Sequence, residues 1–214
     1  MKKTLLYLAL LACLPTVSQA QTPAKPAPTA AELGDYFYRL EESTEGEGSV
    51  FDSLDLMQRR LVTYLKAHEV TTYNFGVDLS AESADAAHLK VFTYSYASGG
   101  TRGTIHRPVL QWRNAAGQHF AYALNEECEF TEVHKLASPG RTRYLLLGQE
   151  PGDMNTTSSE ALVVELKGNY LLLDKEVFGK NSPLLLTNVE LSFDERRQVL
   201  TVDLADHDAS AVDD

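Results

Sequence analysis

The chain has 214 residues, 43% of them hydrophobic and 23% charged, with a formal net charge of −11 at pH 7. That composition is near the globular average, which excludes wholesale disorder and fibrous repeats. A polyanion of this kind is repelled by phosphate backbones and anionic lipid surfaces, so neither nucleic acid nor a membrane surface is an expected partner.

Residues 1 to 20 read as an export signal: Met1-Lys2-Lys3 is the positive end, Thr4 to Leu14 the apolar run, and Ser18-Gln19-Ala20 the small-residue cleavage site. The apolar run is too short to cross a ~30 Å hydrocarbon core, so no membrane span is expected. The expected location is therefore periplasmic or extracellular. Chemistry there works without a pool of ATP, NAD(P)H or reduced glutathione, and no cofactor is expected. Leu10-Leu11-Ala12-Cys13 loosely resembles a lipoprotein box that would place a lipid anchor on Cys13. Leu11 is a poor fit to that box, and cleavage after Ala20 is the preferred reading. Loss of Lys2 and Lys3 with the signal moves the net charge from −11 to −13. Cys128 is then the one thiol left, so no internal disulfide forms and stability must come from packing.

Gln21 to Pro28 holds three prolines and no large apolar residue, and reads as a tether. A single domain is expected over residues 29 to 205, followed by an acidic tail over 206 to 214. Thr29 is a plausible cap for a helix running to about Glu42, with Leu33, Tyr36, Phe37 and Leu40 at i, i+3, i+4 and i+7. Ser49 and Asp52 resemble a capping box for a second helix, whose apolar face runs Val50, Phe51, Leu54, Met57, Leu61 and Leu65.

After Val70 the period changes to two. Strands are predicted at 89–96, 105–113, 120–124, 130–136, 143–149, 162–166, 170–173, 185–193 and 199–204, with Gly168-Asn169 as the tightest hairpin turn. In the first, Lys90, Phe92, Tyr94 and Tyr96 share a face; in the second, His106, Leu110 and Trp112 oppose Arg107, Gln111 and Arg113. The predicted fold class is α+β, with two N-terminal amphipathic helices packed on a mostly antiparallel meander sheet. A β-sandwich or propeller-like arrangement with helices at one end is the alternative.

The run Leu89-Lys-Val-Phe-Thr-Tyr-Ser-Tyr96, the Gly99-Gly-Thr turn, His106, Gln111, Tyr144-Leu-Leu-Leu-Gly148 and Ala161-Leu-Val-Val together resemble a family of uncharacterised secreted bacterial proteins. The likeness covers roughly residues 85 to 204. Tyr96 stands where that family's motif carries Trp, and the family's strands beyond Leu204 have no counterpart. The resemblance implies no activity.

Several constellations could carry chemistry. The loop from Ser98 to Thr104, with Gly99, Gly100, Arg102 and nearby His106, could cradle an anion on freed backbone amides, but it lacks a P-loop's Lys-Ser/Thr ending and otherwise reads as a hairpin turn. Tyr94, Tyr96, Trp112, Phe120 and Tyr122 could stack on a sugar or peptide from one sheet face, or else be core. His106, His119 and His134 sit on successive strands, yet their spacing matches no metal motif, and no metal is expected. Glu126, Glu127 and Glu129 surround Cys128 and suppress its thiolate, which favours a structural thiol over a nucleophile. Arg141/Arg143 and Arg196/Arg197 read as solvated turns rather than docking patches. The functional expectation is an exported, non-enzymatic binding or structural module of the cell envelope, with a protein, peptide or glycan ligand. The alternative is a cofactor-free hydrolase or lyase using His106 and Arg102 in a sheet-face cleft.

Overall fold

The computed structural model describes residues 26–46, 48–70, 75–101, 103–151, 156–174, 177–179 and 182–204. The signal with Cys13, residues 21–25 of the tether, Arg102 and the acidic tail lie outside the described residues. Helix α1 covers Ala30–Glu41 and α2 covers Leu54–Ala67, the latter entered through a 3-10 turn, Phe51–Ser53. Thr29 caps α1 reciprocally: its Oγ1 accepts from the Glu32 amide, while its own amide donates to the Glu32 carboxylate. No side chain caps α2, so the Ser49–Asp52 box does not form. Glu32 instead accepts from Arg60 at 3.1 Å, tying the two helices together.

Eleven strands follow among the described residues: β1 Asp78–Glu82, β2 Lys90–Ala97, β3 Thr104–Arg113, β4 His119–Ala123, β5 Glu129–Leu136, β6 Thr142–Pro151, β7 Thr157–Lys167, β8 Tyr170–Leu173, β9 Leu184–Thr187, β10 Val189–Asp194 and β11 Val199–Leu204. All pair antiparallel. The α+β class with antiparallel sheets therefore holds, but the strands do not form one sheet. They divide into β1-β2-β3-β4, β5-β6-β7-β8 with β9 also on β7, and a β10-β11 hairpin. Strand β7 pairs with β6 along one edge, while β9 and β8 lie end to end along its other edge. The predicted strand 185–193 is broken at Asn188, whose φ of 56° turns the chain from β9 into β10.

The alternation of side chains dictates the layering. Phe92, Tyr94, Tyr96, Ile105 and Val109 face the helices, packing against Leu33, Phe37, Leu40, Leu61 and Leu65. The opposite face of the first sheet, with Leu89, Val91, Leu110 and Trp112, packs on Phe130, Tyr144, Leu146, Leu162 and Val164 of the second. The far side of the second sheet, with Leu145, Leu147, Ala161 and Val163, is covered by Leu191, Phe193 and Leu200 of the hairpin. Each large apolar side chain sealed in these layers contributes on the order of 2 kcal/mol.

Two buried polar residues join the helical layer to the first sheet. Gln111 Nε2 donates to the Leu65 and His68 carbonyls at 2.5 and 2.7 Å, and Lys90 Nζ donates to the Val70 carbonyl at 2.7 Å. The Leu65 and His68 carbonyls are acceptors at the end and cap of α2 and Val70 follows in the connection to the sheet, and burying such carbonyls unbonded costs about 1–3 kcal/mol each. Arg141 and Arg143 are not a solvated turn: they pair with Glu165 and Asp174. Among the described residues no helix is long and apolar enough to cross a membrane.

Candidate functional site

The β2-β3 register pairs Tyr94 with Arg107 and Ser95 with His106, so neighbouring pairs point to opposite faces. This splits the predicted aromatic group. Tyr94 and Tyr96 are each 2% exposed in the helix-facing core. There the Tyr94 hydroxyl accepts from Gln58 and the Tyr96 hydroxyl from Arg107. Trp112 is buried between the sheets and stacks on Phe120, ring centroids 5.7 Å apart. Tyr122 alone is substantially exposed. No single stacking face is formed. Gly99 and Gly100 lie in an exposed loop closed by the Ser98 amide donating to the Gly103 carbonyl at 2.7 Å. Gly99 sits at φ +73°, a conformation that favours glycine. The two other histidines are dispersed, His119 near Glu69 and His134 between Glu132 and Glu195. Among the described residues no three His, Cys, Asp or Glu groups are arranged to hold a metal ion.

The structure does gather polar groups at two opposite ends of the stacked sheets. At the β2-β3 turn end, His106 Nδ1 lies 2.9 Å from Ser95 Oγ, and its Nε2 lies 3.9 Å from the Glu129 carboxylate. Burial lowers the His106 pKa below its ordinary value, and the Glu129 charge opposes that shift. Behind them Glu160, 3% exposed, lies beside fully buried Cys128. Glu160 Oε1 and Glu126 Oε2 are buried without a hydrogen-bond partner. Burial, reinforced by the charges of Glu126 and Glu150, pushes the Glu160 carboxyl up to about 8. Burial, then Glu160, Glu150 and Glu129, push the Cys128 thiol well above its usual range; of the three glutamates that flank it in sequence only Glu129 is among these. Ser95 and Glu160 are absent from the expected site. Glu160 was legible: it shares a strand face with Leu162, Val164 and Leu166, but the predicted strand began at 162, five residues after the start of β7 at Thr157.

At the other end, turns from both sheets meet in a cleft of about 300 Å³ lined by Asp85, Arg113, Asn114, Lys135, Thr142 and Gly168, among others. Asp85 is the best-fixed group in it. Its carboxylate accepts from Lys135 Nζ at 2.7 Å, the Tyr144 hydroxyl at 2.6 Å and Ser83 Oγ at 3.0 Å. Burial favours the neutral acid, but these donors outweigh it and hold Asp85 below its ordinary pKa. Arg113 pairs with Glu69 at 2.9 Å through one terminal nitrogen, while its Nε is buried with no acceptor. The Asn114 side chain organises the adjoining turn: its Oδ1 accepts from the Ala116 and Gln118 amides, both at 3.0 Å. It also donates to Asn169 of the second sheet's turn at 2.8 Å, which joins the two sides of the cleft. No signal in the sequence brings Asp85, Arg113 and Lys135 together, because they lie on three separate strands or turns.

Comparison with protein-family models, with curated proteins and with solved structures finds no match.

Proposed function

We propose that this chain is an exported, non-enzymatic binding module of the cell envelope that receives a peptide segment in the cleft formed by Asp85, Arg113 and Lys135. The supporting observation is the convergence there of turns from two stacked sheets around a concave, mixed-charge surface. A rigid sheet scaffold that presents side chains from its turns is a common basis for recognition. A carboxylate, an ammonium, a guanidinium and an amide in one small space suit a ligand with alternating donors and acceptors, which a peptide backbone supplies. Calorimetric titration of the chain against short peptides and against oligosaccharides tests this. Peptide binding is expected, weakened about tenfold or more in Lys135→Met by loss of a charge-assisted contact, with an unchanged far-UV circular dichroism spectrum although Asp85 loses one of its three donors. Binding of oligosaccharides alone, or peptide binding indifferent to Lys135→Met and Thr142→Ala, overturns the reading.

The Ser95–His106 contact supports a second reading, a cofactor-free hydrolase. A serine within hydrogen-bond reach of a neutral imidazole backed by a carboxylate is the arrangement that activates a nucleophile. Ser95 Oγ would attack an ester carbonyl and pass its proton to His106 Nδ1. That proton would go to the departing alkoxide, and water would release the acyl group from Ser95. Treatment with a fluorophosphonate should then modify Ser95 and fail to do so in His106→Ala. Absence of any adduct on Ser95 rejects this reading.

A further inference from the structure

The end of the stacked sheets opposite the cleft holds an uncompensated acid. Glu160 is 3% exposed, and one of its carboxyl oxygens has no partner. Among the described residues the titratable groups that act on it are acidic or weakly so: Glu126 and Cys128 from the segment leading into β5, and Glu150 on β6; Glu129 at the start of β5 acts on Cys128. His106 of β3 lies against Ser95 and the Glu129 carboxylate. Among the described residues no cation acts on Glu160. A buried carboxylate with no cation loses its hydration without recovering it in an ion pair, and its repulsion from Glu126 and Glu150 is strengthened by the low local dielectric. Binding a proton removes both penalties. Gly148, cross-strand partner of Glu160, has no side chain to wedge this end apart, so the first residues of β5 rest directly on β6.

We propose that Glu160 is a proton-operated latch: with a proton bound it keeps this end of the two sheets closed over Cys128, and release of the proton loosens the end and uncovers the thiol. Cys128 is fully buried beside Glu160, so its accessibility reports the state of the latch.

The test is alkylation of the chain with iodoacetamide from pH 6 to pH 9, with modification of Cys128 read by peptide-resolved mass spectrometry and compared with Glu160→Gln at each pH. Cys128 is fully buried when the end is closed, so it reacts from the opened end, where the thiol is solvated and ionises alike in both proteins, and the ratio of wild type to variant isolates the latch. The ratio is expected to rise by up to about tenfold per pH unit toward pH 8 and to level off above it, because the closed end keeps a proton that the opened end has released, with the far-UV circular dichroism unchanged. Glu126→Gln, which removes one repelling charge and keeps the Glu160 carboxyl, should let the closed end release its proton sooner, so that the ratio levels off at lower pH. A ratio flat with pH, a profile unmoved by Glu126→Gln, or labelling that rises only with loss of the circular dichroism signal overturns the latch.

Discussion

Gly148→Ala is expected to cost at least about 3 kcal/mol of folding stability, read as a large drop in the urea midpoint, because it overpacks backbone against backbone. A Cβ at Gly148 would overlap the Glu129 carbonyl group and the Phe130 Cα, and neither can rotate aside as a side chain could. The approach is close because the β5-β6 register slips between Phe130 and Glu132, which brings the Glu129 carbonyl over the glycine. The same displacement would carry Glu129 away from His106 and disturb the seat of Glu160. A midpoint within error of wild type would mean that β5 does not rest on β6 in this way.

Folding stability is also expected to fall as pH rises from about 6.5 to about 8, a trend that Glu160→Gln should abolish. The folded-state pKa of Glu160 is about 8 against an ordinary 4.5, so its contribution is fully present below 4.5 and is lost as pH climbs through about 8. Within that interval the folded state holds a proton that the unfolded state has released, and the folding constant changes by up to about tenfold per pH unit. His106 acts in the opposite sense. Its pKa is lowered from 6.5, so its contribution is lost as pH falls below that value, and the Glu160 slope is clearest above it. Asp85 is held below its ordinary 3.8, which confines its effect to acid. Urea midpoints measured at several pH values for both proteins provide the check. Parallel profiles would show that Glu160 is ionised or solvated in the folded state. Because these midpoints report global unfolding and Cys128 alkylation reports local opening, the buried proton and the latch can fail separately.

Much of the sheet structure was legible in the residues themselves. The alternation that sets Lys90, Phe92, Tyr94 and Tyr96 on one face, and His106, Leu110 and Trp112 on another, describes the faces that the strands present. Short turns led to sequential antiparallel pairing, found in both β1-β4 and β5-β8. Strand β1 escaped because Asp78–Glu82 has no β-branched or aromatic residue and lies at a sheet edge, where pairing with β2 rather than propensity decides its conformation. The break at Asn188 escaped because the apolar alternation continues through it.

The sequence by itself determined which side chains travel together, since a period of two is a property of neighbouring residues on one strand. Only the tertiary structure decided what each face meets: that Tyr94 lies under a helix and Trp112 under a second sheet, that Asp85, Arg113 and Lys135 share a cleft, and that Glu160 is sealed in beside Cys128 and Glu126. The physical reason is that a side chain's direction is local, whereas its solvation depends on what is stacked over it, and here that cover comes from helices and strands distant in the chain.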